Sequence, residues 1–115
     1  MVDIASLVAV CQLVISGGNK AIKEIAKKKL TETEKELMTN AAKNGEFYVL
    51  SADGVPNWVR IERKNFMDTN DPLIATKYLD AFKSLCERGY IYPDSGILFR
   101  LTSNGFEKAR KLTPQ

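Results

Sequence analysis

Apolar positions along this chain repeat with spacings that change several times, and those changes mark its elements. Ile4, Leu7, Val8, Cys11, Val14 and Ile15 follow the three-and-four spacing of one helical face, which predicts a helix over residues 3–16. Val10 and Leu13 widen the stripe, so this helix is expected to be covered on most sides. Gly17-Gly18 interrupts it, because glycine costs about 1 kcal/mol against alanine inside a helix. Ile22, Ile25 and Ala26 resume the period in residues 19–29, giving either one bent helix or two helices with a glycine joint.

A second helix is predicted over residues 31–44, with Leu37, Met38, Ala41 and Ala42 inward. Thr31 and Glu34 have capping-box spacing, in which each side chain satisfies a free backbone N–H of the first turn. Asn44-Gly45 ends this helix. The spacing then shortens. Residues 46–51 are β-rich, Ala52-Asp53-Gly54 is a turn signal, and Trp58 to Glu62 resumes a strand, with Pro56 shortening it or placing it at an edge. Arg63 to Thr69 reads as a loop or short helical turn. Asp71-Pro72 opens a third helix, whose stripe is Ala75, Tyr78, Leu79, Phe82, Leu85 and Cys86 and which Gly89 closes. Tyr90 to Leu101 makes a second hairpin around Pro93–Gly96. Thr102 or Ser103 caps a last helix with Phe106, Ala109 and Leu112 inward.

The 115 residues fit one domain of ordinary globular composition. The net charge of +3 is unevenly placed. Residues 1–30 carry five lysines (Lys20, Lys23, Lys27, Lys28 and Lys29) against Asp3 and Glu24, and residues 31–115 balance at 12 basic and 12 acidic groups. The domain is therefore neutral and the basic excess sits in an N-terminal segment. Phosphate neutralisation drives nucleic-acid affinity, so this distribution argues against a strong grip by the domain itself. Cys11 and Cys86 each fall in an apolar run and read as buried free thiols, which points to a reducing, cytoplasmic setting.

Residues 2–16 are shorter than the ~18–20 residues a membrane span needs, and Asp3 stands where a signal peptide carries positive charge. A helix buried on the domain or facing a partner is the better reading. An apolar stretch followed by five lysines also fits peripheral contact with anionic lipid.

Three phrases together resemble the winged helix-turn-helix superfamily: LTETEKELMTNAAKNG, YLDAFKSLCERGYI and ILFRLTSNGFEKARKL. They cover about residues 30–112 and include the Leu101-Thr102-x-x-Gly105 start of a final helix. The resemblance implies an α+β, winged-helix-like domain over residues 30–115 with two β-hairpins, preceded by an apolar and basic helical extension over residues 1–29. The chain departs from the family by spending residues 46–68 on an extra hairpin where the usual second helix belongs, which weakens the case for DNA reading by the helix at 72–88. On the resemblance, Thr76, Lys77, Lys83, Ser84 and Arg88 of that helix, with Ser95 and Arg100 of the wing, are the candidate nucleic-acid contacts. Asp80 and Glu87 lie on the same helix face and oppose phosphate.

Catalytic chemistry has little to work with. Histidine is absent, which removes the commonest acid–base catalyst, and two cysteines in distant elements cannot supply a four-ligand zinc site. Asp68-Thr69-Asn70-Asp71 begins like a calcium loop, but Pro72 falls where a ligand is required, and helix capping explains it better. No enzyme, metal or cofactor is expected. Phe47, Tyr48, Trp58, Tyr90, Tyr92 and Phe99 suggest base stacking or, more simply, core packing. The expected function is a non-catalytic module: a small nucleic-acid-binding regulator dimerising through Ile4, Leu7, Val8, Cys11, Val14 and Ile15, with Lys20 to Lys29 adding phosphate attraction. The alternatives are a protein-interaction or oligomerisation module that binds no DNA, and a peripheral membrane adaptor.

Overall fold

The computed structural model describes residues 4–15 and 29–113. Lys20, Lys23, Lys27 and Lys28, the Gly17-Gly18 joint and the side chains of Val14 and Ile15 lie outside the described residues. Four helices and five strands are described: α1 (Ile4–Ile15), α2 (Glu32–Ala41), β1 (Glu46–Ala52), β2 (Val55–Ile61), β3 (Lys64–Phe66), α3 (Pro72–Glu87), β4 (Ile91–Ser95), β5 (Leu98–Leu101) and α4 (Ser103–Leu112).

The helix starts follow from local chemistry. The Thr31 hydroxyl accepts from the Glu34 N–H at 3.2 Å, and Glu34 Oε1 accepts from the Thr31 N–H at 3.0 Å, completing the capping box of α2. Asp71 Oδ1 accepts from the Leu73 N–H, with Pro72 in the first turn of α3. Asp68 Oδ1 accepts from the Asn70 N–H, so the calcium-like string is a turn leading into this cap. Thr102 caps α4 by accepting from the Gly105 N–H.

All strand pairs are antiparallel, in the order β3-β2-β1-β5-β4. The two expected hairpins are thus joined into one sheet by β1 against β5, with Phe47 opposite Phe99 and Tyr48 opposite Leu98. The stretch expected to be loop contains β3, which pairs with Val59 to Ile61. This strand is three residues long with one apolar side chain, Phe66, too short for an alternating pattern to show. Pro56 lies in β2 beyond the reach of β3, where its missing N–H costs no ladder bond on that side.

The helices pack on one side of the sheet. Phe47, Val49, Val59, Phe66, Ile91, Phe99 and Leu101 turn toward them and are buried. Phe82 of α3 sits at the centre, edge-on to Phe47 at 5.3 Å and to Phe99 at 5.2 Å between ring centroids. α3 contacts β2, α2 and α1, which is why Ala81 is buried as well as its predicted stripe. α1 lies against α3 and β4, with Leu7 and Cys11 fully buried in its own chain and Ile4, Val8 and Val10 packed on the same core. Burying a leucine this way stabilises by about 2 kcal/mol. Leu7 and Cys11 are therefore not available to a dimer face, which corrects that expectation for these two side chains, and Leu13, on the widened stripe expected to be covered, stands 46% exposed.

Two glycines permit close approach. Gly45, at φ +70°, ends α2 beneath the ring of Phe106 in α4. Gly105 lies against the Tyr90 carbonyl, which accepts from the Thr102 N–H at 2.9 Å, while the Thr102 hydroxyl donates to the Gly89 carbonyl at 2.8 Å. The Leu-Thr-x-x-Gly string therefore ties the start of α4 to the end of α3.

Candidate interaction surfaces

The residues expected to meet nucleic acid divide into two groups. Thr76 and Lys77 are exposed on α3, Lys83 is half-buried there, and Ser95 is exposed in the β4–β5 hairpin. Ser84 and Arg88 turn inward instead. Arg88 Nε donates to Glu34 Oε2 at 2.8 Å, and each of these side chains is only 4% exposed. Ser84 donates to the same oxygen at 2.9 Å, and Arg88 Nη2 donates to the Lys29 carbonyl at 3.2 Å. Placing Ser84 and Arg88 on a nucleic-acid surface is corrected accordingly. Burial acts to raise the Glu34 pKa, but the Thr31 and Ser84 hydrogen bonds and the Arg88 charge outweigh it and hold the carboxyl below the usual range.

Arg100 is also engaged. Its Nε donates to Asp94 Oδ2 at 2.7 Å, and its Nη2 lies 3.8 Å from Glu46. The Asp94 hydrogen bond is the main reason its pKa is raised. With Arg88 withdrawn, the charged groups left on the outer face of α3 are Lys77 and Lys83 against Asp80 and Glu87, which cancel. Of the basic segment, Lys29 is described and is exposed.

The sheet face turned away from the helices is the larger feature, and alternation builds it. As Phe47 and Val49 go inward, Glu46, Tyr48 and Leu50 point outward, and registry aligns them with residues of the neighbouring strands. One row runs Tyr92, Arg100, Glu46; the next runs Leu98, Tyr48, Arg60, Asn65; Leu50 and Trp58 form a third. Trp58 Nε1 donates to Asn65 Oδ1 at 3.0 Å, which fixes the indole across β2 and β3.

A groove of about 490 Å³ crosses this face, lined by Asn44, Glu46, Tyr48, Leu50, Arg60, Glu62 and Ile97. Its rim is held in an uncommon backbone state: Glu62 has φ +55°, with its carbonyl accepting from Arg60 Nε at 2.8 Å and its carboxylate from Asn44 Nδ2 at 2.6 Å. Ile97 stands 41% exposed at one end. Grouping all the aromatics hid this surface at the level of sequence. The alternation in EFYVLS separates Phe47 from Tyr48, and was the available signal.

Among the described residues no cluster of three or more His, Cys, Asp or Glu could hold a metal ion, and no helix is long and apolar enough to cross a membrane. No protein-family model, curated protein or solved structure matches this chain.

Proposed function

We propose that this chain is a non-catalytic module of winged-helix type that binds a protein partner through the open face of its sheet. The arrangement α2, β1, α3, β4–β5, α4, with β5 between β1 and β4, supports the winged-helix reading; β2 and β3 take the place of the usual second helix.

One observation carries the choice of protein over nucleic acid. Both arginines placed to meet phosphate are neutralised within the fold, Arg88 by Glu34 and Arg100 by Asp94 and Glu46. A phosphate-binding surface draws its affinity from cations free to release counterions. The open sheet face offers tyrosine, tryptophan and arginine beside aliphatic side chains, the composition favoured at the centres of protein interfaces.

The test is photo-crosslinking in cells that express the protein. A benzophenone amino acid replaces Leu50 or Tyr92 on the sheet, or Lys77 on α3. A discrete protein adduct at the two sheet positions and not at Lys77 is expected. Adducts only at Lys77, or duplex DNA binding by the intact chain that weakens steeply with salt, would refute the reading.

A further inference from the structure

The groove on the open sheet face holds two opposite charges that meet no counter-ion among the described residues. Arg60 and Glu62 both line it, with only Ile61 between them in sequence. Their charged groups do not pair with each other. Arg60 Nε donates to the Glu62 carbonyl at 2.8 Å, while the Glu62 carboxylate accepts from the Asn44 amide at 2.6 Å. Each charge is thus bonded to a neutral group, and both side chains are exposed. Every ion pair among the described residues involves other groups. Beside the two charges lie Tyr48, Leu50 and the 41% exposed Ile97.

A surface that carries both a cation and an anion beside an apolar strip is complementary to itself. In a two-fold contact each pairing occurs twice, so the cation of one copy meets the anion of the other in both directions. A partner of one sign would satisfy one of the two charges and set its like against the other. We infer, resting on the open-face reading above, that the partner at this face is a second copy of the chain. The copies pack sheet on sheet, with Arg60 of each set against Glu62 of the other and Tyr48, Leu50 and Ile97 buried alongside. Stacked sheets lie about 10 Å apart, and side chains from both fill the gap. The groove of about 490 Å³ gives the second copy's side chains room to interdigitate. Residues 31–115 balance at 12 basic and 12 acidic groups, so two such domains approach without net repulsion.

The test is analytical ultracentrifugation of the intact chain over a concentration series reaching about 1 mM, where even a weak contact is populated. A monomer–dimer equilibrium is expected, and a monomer throughout would overturn the inference. Arg60→Glu and Glu62→Lys alter exposed side chains and should leave the circular dichroism of the chain unchanged. Each should weaken self-association about a hundredfold, because each sets like charges against one another in both halves of the contact. Mixed in equal amounts, the two variants should associate with each other about as tightly as the unaltered chain does with itself, since opposite charges then face again. Dimers indifferent to both substitutions, or variants that stay apart on mixing, would overturn it. Crosslinking from a benzophenone at Leu50 separates this inference from the broader reading. An adduct with the mass of two chains supports the second copy. An adduct with a different protein overturns the second copy and leaves the open face as a binding surface, and no adduct from the sheet removes both.

Discussion

Glu34 Oε2 accepts from Arg88 Nε at 2.8 Å, so the residue that caps α2 also anchors the end of α3. Both side chains are buried, and the remaining acceptor positions of the carboxylate are occupied by Ser84 and the Thr31 N–H. Removing one partner leaves a charge stranded in the interior. Arg88→Ala is expected to destabilise the fold by about 3–5 kcal/mol. Replacing both charges, Glu34→Leu with Arg88→Met, recovers much of that loss but not the cap, which contributes about 1 kcal/mol. Urea denaturation of the single and double variants measures both.

The same carboxylate sets an acid limit. Its folded pKa is below the ordinary value of 4.5, so its contribution is fully present above that value and is lost as pH falls through the lower folded one. Stability measured against pH should therefore decline below pH 4.5. In Glu34→Gln the decline is shallower, because that proton linkage is gone.

An alkaline limit follows from Tyr78. Its hydroxyl donates to Glu36 Oε1 at 2.7 Å, and this bond, with burial and the Glu36 charge, pushes the phenol up to about 12 from an ordinary 10. Because the folded value is the higher one, the contribution is complete below pH 10 and is lost as pH rises through about 12. Ultraviolet titration should show one tyrosine ionising late, and Tyr78→Phe should remove that step.

Gly105→Ala places a methyl group against the Tyr90 carbonyl and Leu101. The backbone of Tyr90 cannot yield without breaking its bond from the Thr102 N–H, so a loss of about 3 kcal/mol is expected. Gly54→Ala, where the new methyl meets nothing within 4 Å but φ is +79°, should cost only about 1 kcal/mol. Thermal melts of the two variants separate close approach from backbone strain.

Leu7→Ala should cost about 2–5 kcal/mol, because α1 belongs to the core of its own chain. Leu73, on α3 but 72% exposed, should tolerate the same change within about 0.5 kcal/mol. If α1 were instead held by a second copy, the loss at Leu7 would depend on protein concentration. Chemical denaturation at several concentrations decides the matter.

Local signals were the legible ones. The Thr31–Glu34 box, the Asp71-Pro72 start and the Thr102 cap each lie within a few residues, and the structure forms all three. Hairpin strands and the stripe of α3 were readable for the same reason. Pairings across the chain were hidden. Arg88 follows the last turn of α3 at a position that a helical projection assigns to solvent, and nothing near it in sequence announces Glu34. The apolar stripe of α1 was evident, but a stripe does not name its cover. The open sheet face was half legible: alternation marks Tyr48 and Leu50, whereas their alignment with Trp58, Arg60 and Leu98 depends on registry between strands.

The two margins of the sheet are built differently from its middle. One ends in the three-residue β3, and the other in β4, where Pro93 has no N–H to offer and the register slips between Pro93 and Ser95. Neither rim presents the long, even ladder on which a further strand could be templated. The edges are therefore poorly suited to templating a further strand or to capturing an extended peptide side-on, and a protein partner of the kind proposed would have to approach the sheet broadside.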